Sequence, residues 1–227
     1  MWSIRDAHLD KQRREESIFP LICVGVKQSV TSRSIVKKVG ISMETTTSIY
    51  FVRHAESAYE IGKERSRGLT NTGEEDARKV SVILHNEEID YYVSSPYERA
   101  IQTIKDAAGT NEILLMEDLR EREIGKIPEN KFKESKLKVY RDFDYSFPDG
   151  ESSSEAQQRA VMILLGLLET YEGKKIVIGT HGDIMTLMMN YFDECYQFEF
   201  WESTTMPDIY KLDFNKTSLM KVTRKWA

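Results

Sequence analysis

An arginine and a histidine stand side by side at Arg53-His54, where the apolar run Ile49-Tyr50-Phe51-Val52 of SIYFVRHAESAY ends. A second histidine, His181, closes the apolar run KIVIGT as Thr180-His181-Gly182, and a second arginine, Arg99, follows the strand-like IDYYVSS. A guanidinium presents a planar fork that matches the oxygens of a phosphoryl group. Two of them would form a pocket for a dianion. A carboxylate could also bind there, but the charge spread over three equatorial oxygens during phosphoryl transfer fits the set better. Neutral imidazole is a nucleophile near pH 7. Attack on phosphorus would give a phosphohistidine and divide hydrolysis into two steps. The leaving alkoxide then needs a proton, and Glu121, in LREREIG, is the leading candidate, with Glu123 as its substitute.

Each residue alone has a plainer reading. A lone histidine at a strand end is commonly a hydrogen-bonded structural residue, and Arg99 alone would be a surface helix residue. Glu121, between Arg120 and Arg122 and two residues before Glu123, could belong to an exposed charge cluster. The pairing of Arg53 with His54, and a second His-Gly at another strand end, favour a site. His8 and His85 are assigned no chemistry. Gly68 and Gly73 have the spacing of P-loop glycines, but Glu74-Glu75 replace the required Lys and Ser/Thr.

The elements that must position these residues alternate between strand and helix. Ile49–Val52 reads as a strand. Thr72 with Glu75 reads as a capping box opening a helix with Ala77, Val80 and Leu84 on its core face. IDYYVSS is a second strand. It leads into a helix signalled by Ser95 as N-cap, Pro96 at the first helical position and Glu98 beyond it. Ile113–Leu115 is a short strand. Residues 121–150 read as a long polar insertion. Ser152 with Glu155 caps a helix with Val161, Leu164, Leu165 and Leu168 inward, ended by Gly173. KIVIGT is a central strand, 182–193 a helix, and DIYKLDF and LMKVTRK a closing strand pair at a sheet edge. This order predicts an α/β fold, a three-layer α/β/α sandwich with a mostly parallel central sheet. Ligands of such sheets bind beyond the carboxyl ends of the strands, where Arg53-His54, Arg99 and His181 would converge.

Composition narrows the function classes. The 227-residue chain carries a formal charge of -5, with +4 in residues 1–42 and -9 in the remainder. An acidic body argues against sequence-independent nucleic-acid binding. No apolar run approaches the ~18 residues of a membrane span. Residues 1–42 read as an N-terminal extension, poorly ordered, and 43–227 as the working domain. Ile18–Val26 has the length of a signal-peptide core, but the acids before it and the lack of a cleavage motif oppose that reading. Cys23 and Cys195 are expected to be reduced thiols of a cytoplasmic protein. No metal site and no cofactor are expected.

The ordered blocks resemble the histidine phosphatase superfamily, the phosphoglycerate-mutase-like enzymes. The carriers are RHAES at Arg53–Ser57, Leu69-Thr70 with Gly73, SSPYERAIQT at Ser94–Thr103, Leu119 with Glu121 and Gly125, Gly150–Ser152, and Thr180–Gly182. They span about residues 47–225. The resemblance implies His54 as the phosphorylated nucleophile and Glu121 as proton donor. It implies Arg53, Arg99 and His181 as holders of the phosphoryl group, with Ser57 and Gly182 also in the phosphate-binding set. The phosphatase branch is favoured: a metal-independent phosphomonoesterase acting on a small phosphorylated metabolite. A phosphoglycerate-mutase-type isomerase and a non-catalytic phospho-ligand sensor are the alternatives. Tyr59-Glu60 and Ile127-Pro128-Glu129 depart from the family's Trp-Asn and Trp-Glu-Gly and place substrate choice in the flanking loops.

Overall fold

The computed structural model describes residues 45–60 and 62–226. The expected extension over 1–42, with His8 and Cys23, lies outside the described residues.

Strand β1 runs Thr46–Arg53, longer than its apolar core, because it is hydrogen-bonded on both edges. Parallel β4 (Lys175–Thr180) lies on one side and antiparallel β5 (Asp208–Asn215) on the other. With β2 (Tyr91–Ser94), β3 (Ile113–Leu115) and β6 (Ser218–Arg224) they form one six-stranded sheet in the order β3-β2-β4-β1-β5-β6. The β1, β2, β3 and β4 strands are parallel; β5 and β6 form the expected hairpin at the edge.

Alternation along the strands sends side chains to two cores. Tyr50, Val52, Tyr92 and Val177 pack with Val80 and Leu84 of α1 (Asn71–His85) and Ile104 of α2 (Glu98–Ala108). Ile49, Phe51, Val93, Ile176 and Ile178 pack with Leu164 and Leu168 of α4 (Ser153–Thr170) and Ile184 and Met188 of α5 (Gly182–Phe192). Each such buried side chain contributes about 1.5–3 kcal/mol. The fold is therefore the expected three-layer α/β/α sandwich. Among the described residues, no helix is long and apolar enough to cross a membrane.

Several local expectations are corrected. The N-cap of α1 is Thr70, not Thr72: its hydroxyl accepts from Gly73 N at 3.1 Å and donates to Glu56 Oε1 at 2.7 Å, so a tie to the loop after β1 selects the earlier threonine. The N-cap of α2 is Tyr97, with no side-chain cap; Ser95 Oγ accepts from Tyr97 N at 3.3 Å, ahead of the helix. In α4, capped by Ser152 and Glu155 as expected, Leu167 is buried where Leu165 is only half-buried. The polar insertion 121–150 holds a helix, α3 (Phe132–Arg141), hidden because two of its four buried residues, Ser135 and Lys136, are polar. The short α6 (Phe198–Ser203) was also not anticipated.

Candidate active site

The parallel strands deliver their ends in register. Arg53 of β1 pairs with Thr180 of β4, and His54 N donates to Thr180 O at 2.9 Å. His54 and His181 are thus the first residues beyond two adjacent strands. Their ring centroids lie 5.2 Å apart, edge to face at 64°. The β2 strand joins the same rim through Ser95 N, which donates to Gly179 O at 2.9 Å.

His54 is 6% exposed, and its Nδ1 lies 2.8 Å from the carbonyl oxygen of Ala55. A carbonyl only accepts, so Nδ1 carries the proton and Nε2 keeps its lone pair. Burial, and then the positive charge of Arg99, push the His54 pKa down to about 3, so the ring is neutral at pH 7. His181 is fully buried, and burial followed by His54 and the arginines holds it well below the usual imidazole range. Its Nε2 lies 2.7 Å from Ser95 Oγ, which also accepts from Tyr97 N at 3.3 Å and so ties the turn before α2 to His181. Its Nδ1 is buried without a partner among the described residues.

Arg53 donates from Nη1 to the Thr204 carbonyl at 2.9 Å and also to the Thr204 hydroxyl. Its guanidinium lies flat against Gly182: a Cβ there would stand 2.8 Å from Arg53 Cζ. Gly182, expected in the phosphate-binding set, therefore makes room for Arg53 as well as opening α5. Arg99, 2% exposed on the first turn of α2, stacks 4.8 Å from the centroid of the Tyr97 ring. Burial, and then Arg67, lower its pKa to about 10. Gly179 lets α2 come this close, since a Cβ would meet Ser94 Oγ at 2.8 Å and the Ala100 carbonyl at 3.0 Å.

A third guanidinium was missed. Arg67 precedes the Leu69-Thr70 turn, and an isolated bridge between Ser57 and Leu69 folds it back beside β1's end. Its Nη1 donates to Ser57 Oγ at 3.0 Å, so Ser57 meets the site through Arg67. Arg53, Arg67 and Arg99 all bear electrostatically on both histidines. The Nε of each is buried without a hydrogen bond of good geometry among the described residues, although Arg67 Nε stands 3.3 Å from a Glu64 carboxylate oxygen. A cation two residues before a turn that must return to Ser57 was the available signal.

Glu121 follows the 3-10 turn Glu117–Leu119 after β3. Its carboxylate accepts from Asp183 N at 3.2 Å and Ile184 N at 3.0 Å, at the N-terminus of α5, and from its neighbour Arg122 N at 2.9 Å. Its negative charge acts on both Arg53 and Arg99. Glu123, the substitute, is exposed. His85 ends α1 and bonds within that helix to Ser81, and Cys195 is an exposed free thiol. The structure thus brings together Arg53, His54, Arg99, Glu121, His181 and Gly182, with Ser57 beside them.

Known proteins share this fold. The family profile of the histidine phosphatase superfamily (branch 1) matches residues 49–221. The chain is 31% identical over 146 residues to the uncharacterized phosphatase PhoE of Bacillus subtilis, covering 60% of this chain and 72% of that one. It is 29% identical over 155 residues to phosphoglycerate mutase-like protein 4 of Arabidopsis thaliana, covering 60% and 67%. Among solved structures it superposes on phosphoserine phosphatase of Entamoeba histolytica in complex with 3-phosphoglyceric acid. The TM-score is 0.64 at 21% identity, covering 80% of this chain and 98% of that chain.

Proposed function

The chain belongs to the histidine phosphatase superfamily, and on that premise we propose that it is a phosphoric monoester hydrolase working through a phosphohistidine at His54. One observation carries the reading. Three guanidinium groups, Arg99 buried and Arg53 and Arg67 half-buried, surround two neutral imidazoles, one of which has its Nδ1 proton directed to a carbonyl and its Nε2 free. A tetrahedral dianion is the ligand whose charge and oxygens match such a set.

In the first step Nε2 of His54 attacks phosphorus. The P–Nε2 bond forms as the P–O ester bond breaks, and the Glu121 carboxyl gives its proton to the departing alkoxide oxygen. In the second step water attacks the phosphohistidine, Glu121 takes its proton, and the P–N bond breaks to leave inorganic phosphate and neutral His54. Arg53, Arg67 and Arg99 bear the charge of the equatorial oxygens in both transition states. With Ser95 donating to Nε2 of His181, that ring's Nδ1 carries a proton and becomes a further donor to the phosphoryl group. The mechanism needs no metal, and turnover is expected to persist in excess chelator.

The substrate class is a small phosphorylated metabolite. The test is phosphate release across a panel of phosphate monoesters, together with trapping of radiolabel on the protein that is acid-labile and base-stable. Isomerisation of 3-phosphoglycerate in the presence of 2,3-bisphosphoglycerate without phosphate release would replace the hydrolase reading with the mutase one. Silence across the panel with retained phosphate binding would leave a sensor.

A further inference from the structure

Beneath the rim lies a second set of buried charges that the reaction does not use. Asp183, the second residue of α5, is fully buried. Its carboxylate accepts from Arg122 Nε at 2.8 Å, from the Tyr140 hydroxyl at 2.7 Å and from Lys136 Nζ, while Arg122 Nη2 stands 2.7 Å from it. Arg122 Nη1 donates to Ser153 Oγ at 2.6 Å. Arg122 and Lys136 are 4% and 6% exposed.

The two dipeptides Glu121-Arg122 and Asp183-Ile184 are tied crosswise. Backbone amides of Asp183 and Ile184 donate to the Glu121 carboxylate, while the Arg122 side chain donates to the Asp183 carboxylate. Neither dipeptide can rotate without breaking both sets of bonds. Buried ion clusters are seldom the cheapest way to hold a core together, since well-packed apolar residues do as well or better. Their use here, two residues after His181 and one after Glu121, suits alignment of the reacting groups. A proton donor must lie within hydrogen-bond reach of its oxygen, and a displacement near 1 Å costs about a hundred-fold in rate.

We propose that Asp183 is the positioning residue for Glu121, acting through Arg122, and that Lys136 and Tyr140 make α3 part of that support. The proposal rests on the reading of Glu121 as proton donor. A misplaced donor penalises a substrate whose leaving group needs a proton and spares one whose leaving group departs unaided.

The experiment compares kcat/KM for an alkyl phosphate and for 4-nitrophenyl phosphate in Asp183→Asn, Glu121→Gln and the double variant. In Asp183→Asn the alkyl phosphate is expected to lose about 30–100-fold and the nitrophenyl ester less than about 3-fold. The double variant should be no slower than the slower single variant, because both changes remove the same proton transfer. Arg122→Lys keeps the charge and loses the fork on Asp183, so it should show the same split at smaller amplitude, including where Asp183→Asn does not fold. If Glu121→Gln shows the split and neither Asp183→Asn nor Arg122→Lys does, or if the losses add in the double variant, the positioning role is wrong while the donor reading stands. If Glu121→Gln shows no split, the donor reading falls and takes the proposal with it.

Discussion

Two sets of buried charge meet at the single turn His181–Asp183, and they are wired in opposite ways. At the rim, Arg53, Arg67 and Arg99 crowd two neutral imidazoles, and each keeps a buried Nε without a hydrogen bond of good geometry among the described residues. Burial and mutual repulsion depress the Arg99 pKa. At the floor, Asp183 takes Arg122, Lys136 and Tyr140 together. Burial alone would raise its pKa, but the charges of Lys136 and Arg122 overcome that and hold the carboxyl below the usual range. Arginine serves both places. Where arginines outnumber the carboxylates beside them, an anion is to be received; where one carboxylate gathers the cations directly, an element is being held.

Four experiments press on that contrast. His54→Ala removes the only nucleophile proposed at the rim and should cut turnover at least about a thousand-fold while leaving the melting temperature nearly unchanged. Retained turnover would show that the rim binds phosphate without covalent chemistry at His54. Gly182→Ala places a methyl group 2.8 Å from Arg53 Cζ. The side chain can swing away more easily than the backbone, so the expected loss is about 10–100-fold in kcat/KM with little change in stability. A large fall in melting temperature instead would mean that Arg53 belongs to the structural set.

At the floor, Lys136→Met keeps the stem and removes one ion from Asp183. Unfolding in urea should show a loss of about 1–3 kcal/mol, with a smaller effect on kcat/KM than Gly182→Ala. The smallest effect is on pH dependence. His54 titrates near 3 when folded and near the usual 6.5 when unfolded, so between these values the unfolded chain binds a proton that the native ring refuses. Stability should therefore fall on acidification below pH 6.5, by about 1 kcal/mol for this histidine between pH 6.5 and 5.5. Nitrogen NMR should show the His54 ring neutral with its proton on Nδ1 from pH 5 to 8. A ring titrating at 6.5 would mean that the pocket is wetter than its burial indicates.

Much of this was legible along the chain, for physical reasons that differ by element. Apolar runs ending in Arg53-His54 and Thr180-His181 revealed the rim, because parallel strands must bring their carboxyl ends to one side. Ser152 with Glu155 fixed the start of α4, since the cap is local in sequence. Where a local signal met a distant partner, the distant partner won. Ser95 bonds His181 and the turn at Tyr97 instead of capping α2, and Thr70 rather than Thr72 caps α1 because Glu56 holds it. Helix α3 was invisible because Lys136 is buried against Asp183, a partner 47 residues away, so no apolar stripe advertises it. Arg67 was missed because its loop has no periodicity and only the Ser57–Leu69 bridge brings it home.

The attachment of α3 has a consequence for how this chain can be recombined with its relatives. The helix is anchored by Lys136 and Tyr140 on a carboxylate that belongs to α5 and is shared with Arg122. A chimera that imports another member's segment over residues 126–149 would replace Lys136 and Tyr140 while leaving Asp183 and Arg122 in place. Such grafts should be more stable when positions 122, 136, 140 and 183 are exchanged as one unit than when the segment alone is exchanged.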